Sequence, residues 1–117
     1  MAFVYSYQIP VKTVSEANQR AHWSVKARRA KAQRAMALVQ TLANVRARGS
    51  RYEIAMMRIG QKRLDDDNLA GALKAVQDGI SQALGINDGS DAVKWTRRQF
   101  ATGHRTTGAV DVTVIVY

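Results

Sequence analysis

The residues that most restrict how this chain can fold are Leu69, Leu73, Val76, Ile80 and Leu84. They recur at spacings of three and four along "DNLAGALKAVQDGISQALG", so one continuous face of a helix there is apolar and calls for burial. Asp66 or Asp67 can cap the start of that helix, and Gly85 lies just past its end. "YEIAMMRIG" (52–60) precedes it as a strand. "AVKWTRRQFAT" and "AVDVTVIVY" follow as two final strands, with "GHRTTG" read as the hairpin loop between them and "INDGSD" as a turn. Near the start, "FVYSYQI" (3–9) is rich in aromatic and β-branched residues and reads as a strand, with Pro10 limiting its pairing on the N–H side. After a polar loop with Ser15 as a possible cap, residues 24–45 are dominated by good helix formers and predict a long helix stopped by Gly49. Val25, Ala32, Met36, Val39 and Ala43 recur there at helical spacing and predict a core-facing stripe. The order is β-α-β-α-β-β, an α+β fold with a mixed sheet and two helices. No repeat or linker divides the 117 residues, so a single domain over 1–117 is expected.

The chain has no cysteine, which excludes disulfides, thiol nucleophiles and thiolate metal sites. "MAFVYSYQIPVKT" lacks the basic start and long apolar run of a signal peptide. No apolar run approaches the ~20 residues of a membrane span. A soluble cytoplasmic protein is the expectation.

Charge is the next constraint. The formal net charge is +9, which points to a polyanionic partner, most commonly nucleic acid. Residues 17–52 hold Arg20, Lys26, Arg28, Arg29, Lys31, Arg34, Arg46, Arg48 and Arg51 and no acid. A helix that needs only solubility usually mixes signs, because like charges three or four apart repel. A run with no acid in it therefore suits a phosphate backbone better than a plain solvated face. At its entrance, His22 and Trp23 have two readings. Either Trp23 is core and His22 structural, or Trp23 packs on a base or sugar while Asn18, Arg20 and His22 touch phosphate.

Six of the nine acids (Asp65, Asp66, Asp67, Asp78, Asp88 and Asp91) fall within one stretch of 27 residues. Adjacent carboxylates repel unless a cation offsets them. An N-cap accounts for one aspartate at a helix start and poorly for three. A Mg²⁺ site accounts for more, because hard cations take oxygen ligands and let phosphate approach carboxylates. Asp65 and Asp67 point to one side if residue 65 is still extended. Asp78 lies about 16 Å along the helix from Asp67, too far to share an ion, and can pair with Lys74. Lys74 could instead reach toward the site. The turn that carries Asp88 and Asp91 could be brought back beside Asp65 by the strand that follows. Asp111 reads as structural.

"DDDNL", a helix with "KAVQD", a downstream "ND" turn and an upstream "NQRAHWSVKARRAK" together resemble the RusA family of Holliday junction resolvases, over roughly residues 5–117. The resemblance, whose upstream segment is similar to that of phage and prophage members, implies a Mg²⁺-dependent homodimeric endonuclease that nicks four-way DNA junctions in pairs, in recombination and repair. It places catalytic aspartates on Asp65 and Asp67 and a third carboxylate on Asp88. Asp91 is a further candidate ligand, and Lys74 an auxiliary electrostatic group. Lys74 lies farther from "DNL" than the family pattern has it, as though "AGA" were inserted. Arg20, His22, Trp23, Lys26, Arg28, Arg29, Lys31, Arg34, Arg97 and Arg98 would grip the DNA. Two other readings stand beside this one: a flap-preferring nuclease with the same site, and a non-catalytic DNA-binding protein whose aspartates only cap a helix.

Overall fold

The computed structural model describes residues 1–14 and 22–117. Its elements are β1 (Phe3–Ile9), α1 (Trp23–Asn44), β2 (Tyr52–Gly60), α2 (Asp66–Leu84), β3 (Val93–Ala101) and β4 (Ala109–Val116). The α+β order and the two helices expected from the sequence are present. The four strands form one mixed sheet in the order β1-β4-β2-β3. β4 runs antiparallel to both of its neighbours, while β2 and β3 are parallel.

This strand order corrects one expectation. β3 and β4 are not a hairpin, because β2 lies between them. The side chains explain the choice. Val110, Val112, Val114 and Val116 of β4 are all buried, which suits a strand paired on both edges. β3 carries Lys94, Arg97 and Arg98 and takes the sheet edge, where charge also discourages further strand pairing. β2, α2 and β3 make a parallel unit, with the helix as its connection.

The core lies between one face of the sheet and the helices. Leu69, Leu73, Val76, Ile80 and Leu84 of α2 are all buried there, with Ile54 and Met56 of β2 and the β4 valines. The cap of α2 is Asp65, one residue before the first expected candidate. Gly85 ends the helix at φ 67°, in the left-handed conformation that glycine adopts without strain.

α1 turns a different face inward from the one its apolar pattern suggests. Val25, Met36 and Val39 are 40%, 37% and 57% exposed, and Ala32 and Ala43 are exposed as well. The buried residues of this helix are Gln33, Ala37 and Thr41. Two observations account for the inversion. At the crossing with α2, Gly79 has no side chain, and a Cβ there would meet the Arg34 carbonyl oxygen and stand 2.7 Å from the Ala37 Cβ. Only a small-residue face can approach so closely. The buried polar groups on that face also have distant partners: Gln33 Nε2 donates to the Lys12 carbonyl at 3.0 Å, and Thr41 Oγ1 lies 2.7 Å from the Tyr7 hydroxyl. Burial pushes the Tyr7 phenol up to about 12, so the hydroxyl stays protonated and able to donate.

α1 ends at Asn44, next to the expected Val45, but Gly49 is not what stops it. The Val45 N–H bonds to Thr41 O and closes the helix before Gly49. Gly49 serves another purpose, since a Cβ there would collide with the Tyr117 carbonyl oxygen and the Val116 side chain. Ser15, the suggested cap, lies outside the described residues; the observed cap is His22, whose Nδ1 accepts from the Ser24 amide at 3.2 Å. Among the described residues no helix is long and apolar enough to cross a membrane.

Two glycines of α2 test the helix crossing with opposite signs. Gly79→Ala is expected to destabilise the fold by about 1–3 kcal/mol, because backbone must shift to admit the methyl group. Gly71, with nothing near its missing Cβ, is expected to gain about 0.5–1 kcal/mol as Gly71→Ala. Urea midpoints at unchanged m-value measure both.

Candidate nucleic-acid site at the strand ends

Parallel strands β2 and β3 end side by side, with Arg58 paired to Gln99 and Gly60 to Ala101. In sheets of this kind the crevice beyond the carboxyl ends of parallel strands is a common place for ligands. The chain leaves β2 there and turns into α2 through Leu64 and the three aspartates. The turn is held by a side chain with no signature in the sequence. Gln99 accepts from the Leu64 amide at 2.9 Å and donates to the Leu64 carbonyl at 2.7 Å. An amide side chain on an edge strand is ordinary in composition, so only the pairing of β3 with β2 could have identified it.

Asp65 caps α2 with both oxygens. Oδ1 accepts from the Asn68 amide at 2.9 Å and Oδ2 from Asn68 Nδ2 at 3.1 Å. Asp66 and Asp67 occupy the first helical turn, where the helix dipole favours negative charge. All three are exposed. A cleft of about 290 Å³ joins Asp66 to Arg63, Arg97, Arg98 and Gln99. Three guanidinium groups and a carboxylate thus line one opening, and Arg97 and Arg98, expected to contact DNA, both lie in it.

Asp88 and Lys74 form a second group. Lys74 Nζ lies 2.9 Å from Asp78 Oδ1 and 2.9 Å from Asp88 Oδ2. Gln77 Nε2 also donates to Asp88 Oδ2, at 3.2 Å, and Arg97 Nη2 donates to Gln77 Oε1 at 2.8 Å. Trp95 Nε1 fixes the Asp88 carbonyl at 3.0 Å. The sequence allowed Lys74 to pair with Asp78 or to reach toward the site; it bridges Asp78 and Asp88. The hydrogen bonds to Asp78 and Asp88 raise the Lys74 ammonium above its usual range, and the bond from Lys74 holds Asp88 below the usual carboxylate range. The turn is therefore brought back along α2 as far as Lys74, seven residues past Asp67, or about 10 Å of helix. Asp91 is exposed on the same turn.

Among the described residues, no three histidine or carboxylate side chains lie together at metal-holding spacing. The donors at the aspartate turn are nonetheless hard, exposed oxygens. They suit an ion such as Mg²⁺, which often takes only one or two carboxylates beside water and substrate phosphate.

The basic helix borders the second group. Lys26 and Arg34 line a groove of about 360 Å³ between the helices, together with Lys74 and Asp78. Arg28 and Lys31 are exposed, and Arg29 is half-buried. Trp23 is 73% exposed, which removes the core reading of this residue, and its ring lies 5.4 Å from that of His22. Arg20 and Asn18 lie outside the described residues. Comparison with protein-family models finds no match, and no curated protein matches the chain.

The Asp88–Lys74 contact gives a pH signature. A carboxylate with a depressed folded-state pKa contributes stability that is fully present above its unfolded pKa and lost as pH falls through the folded value. Asp88→Asn is expected to lower Tm at about pH 6, and the difference from wild type should shrink as pH falls below the ordinary carboxylate range and through the depressed folded-state value of Asp88. Thermal melts across that range measure it.

Proposed function

We propose that the protein is a Mg²⁺-dependent endodeoxyribonuclease of the RusA type, resolving four-way DNA junctions by paired nicks as a cytoplasmic homodimer. The observation that carries this reading is the exposed aspartate turn at the ends of β2 and β3, whose Asp66 shares a cleft with Arg63, Arg97 and Arg98. Carboxylates beside guanidinium groups suit a phosphodiester that must be held by cations and attacked near acids. Asp65 and Asp67 are the candidate ligands of the ion; Asp88, expected as a third, is instead held by Lys74 and Gln77, and no third carboxylate joins the pair among the described residues. When bound, the ion supplies activation of the attacking water and neutralises charge on the phosphate. Arg97 and Arg98 would orient the strand at the turn, and Gln99 would hold the backbone that carries Asp65. Lys26, Arg28, Arg29, Lys31 and Arg34 would position a DNA arm through its phosphates, without reading bases. His22 and exposed Trp23 would stack or bond at the arm's edge. A two-fold dimer would present two such turns to a two-fold substrate.

A second reading has its own support. Both Asp65 oxygens accept bonds within the cap, and Lys74 and Gln77 occupy Asp88 Oδ2. Such acids suit a DNA-binding protein without catalysis. Incubation with a four-way junction, a flap and a plain duplex, with and without Mg²⁺, separates the readings and tests junction preference against flap preference.

Asp65→Asn and Asp67→Asn are each expected to lower Mg²⁺-dependent cleavage by about 100-fold or more, since even the loss of outer-shell partners costs 10–100-fold. Junction binding by gel shift should remain. Normal cleavage by both variants would exclude the assignment. Neutralising Arg28, Arg29, Lys31 and Arg34 together should weaken binding to every DNA form. The slope of log K against log salt should flatten by about 0.9 for each phosphate that the variant no longer neutralises.

A further inference from the structure

Arg58 is 7% exposed, yet no carboxylate among the described residues pairs with it. Its Nε donates to Thr13 Oγ1 at 3.0 Å, Nη1 to the Lys62 carbonyl at 2.9 Å and Nη2 to the Thr13 carbonyl at 3.3 Å. All three acceptors are neutral. A guanidinium carries five N–H donors, so two remain without a partner among the described residues. Burial lowers the pKa of this group, as expected of a charge with nothing opposite to it. The side chain lies flat over Gly60, where a Cβ would stand 2.5 Å from its Cζ. That glycine keeps open the space the guanidinium fills.

A cleft of about 320 Å³ opens at this point, lined by Arg58, Lys12, Lys62, Thr13, Thr106 and Leu64 among others, and by no acid among the described residues. Lys12 and Lys62 are exposed. Three cations thus converge on one cavity, together with two threonines. Were the purpose only to tie Thr13 to Lys62, a neutral donor would do so without burying an unpaired charge, which is costly. Leu64 forms part of the wall, and Asp65 is the next residue.

We propose that this cleft is a phosphate-binding subsite, in which Arg58, Lys12 and Lys62 hold a backbone phosphate of a nucleic-acid strand beside the aspartate turn. The anion site stands on the cleft itself; the nucleic-acid source of the phosphate rests on the function proposed above. Arg58 would supply its two N–H donors left over from the protein, and the lysines would close over the anion from the rim.

The test is a ¹⁵N NMR titration of the full chain with inorganic phosphate, with sodium chloride matching the ionic strength as control. Phosphate is expected to shift the Arg58 Nε–H signal and the Gln61 and Lys62 amides saturably, and chloride is not. The surface variant Lys12→Ala/Lys62→Ala should weaken the phosphate affinity about tenfold, as expected when charge-assisted bonds are removed. Arg58→Gln should abolish the response; should it fail to fold, the lysine variant carries the test. No saturable shift, the same shift with chloride, or an unchanged affinity in the lysine variant overturns the subsite. A short DNA duplex should displace phosphate from the same signals. Phosphate binding that DNA does not displace overturns the nucleic-acid source alone. Asp65→Asn, inactive under the nuclease reading, is expected to keep its phosphate response. A failed nuclease reading and a failed subsite are therefore told apart.

Discussion

Everything in this fold hangs on the two-sided hydrogen bonding of β4. It pairs with β1 along one edge and β2 along the other, from Phe3–Val116 to Ile59–Ala109. A strand paired on both edges must satisfy every backbone group within the sheet. Its alternate valines then all face the helices. With β4 in the middle, β2 has one edge left, and β3 can reach it only by crossing over through α2. The parallel β2–β3 pair follows from that arrangement, and so does the position of the aspartate turn at its end.

The same end of the sheet carries an unusual concentration of buried or half-buried polar side chains. Arg58 and Gln99 are register partners, and both bond to backbone of the segment that leads into α2. Gln77 and Arg97 form a second link, between helix and edge strand. Buried polar groups stabilise little on balance, but hydrogen bonds from several elements to one backbone segment fix a geometry where an apolar contact would tolerate several. The loop from 61 to 65 is therefore defined by side chains from other elements, and so is the direction in which its carboxylates project.

The parts of this structure that could be read in the sequence are those where apolar spacing and burial coincide. α2, β2 and β4 have that property; the charged turn and Gly85 were legible from residue type alone, as a run of acids and a helix-ending glycine. α1 does not. Its apolar residues are regular in spacing but exposed, whereas its inner face is Gln33, Ala37 and Thr41. Those side chains can be buried only because Lys12 and Tyr7 meet them, which no local window reveals. Strand order was equally hidden. Two strands joined by a glycine-containing loop suggest a hairpin, and only the competition between β3 and β4 for the central place decides otherwise. At the candidate site the aspartates were legible as an anomaly of charge. Gln99, Gln77 and Arg58 were not, because nothing about a single glutamine or arginine marks it as the one that holds a turn.

The central place of β4 also bears on how the chain reaches its fold. β4 is synthesised after every other element of the sheet, yet it is the one strand that joins β1 to β2. Pairs such as Phe3 with Val116 span nearly the whole sequence. Local pairing can give the β2-α2-β3 unit early, but closing the sheet means bringing together the two ends of the chain. That is a slow event, because the entropy of a long loop is lost before the strand's hydrogen bonds are gained. Until then β1 and one edge of β2 stay open, so the interval between synthesis and closure is when this protein is most exposed to pairing with the wrong strand.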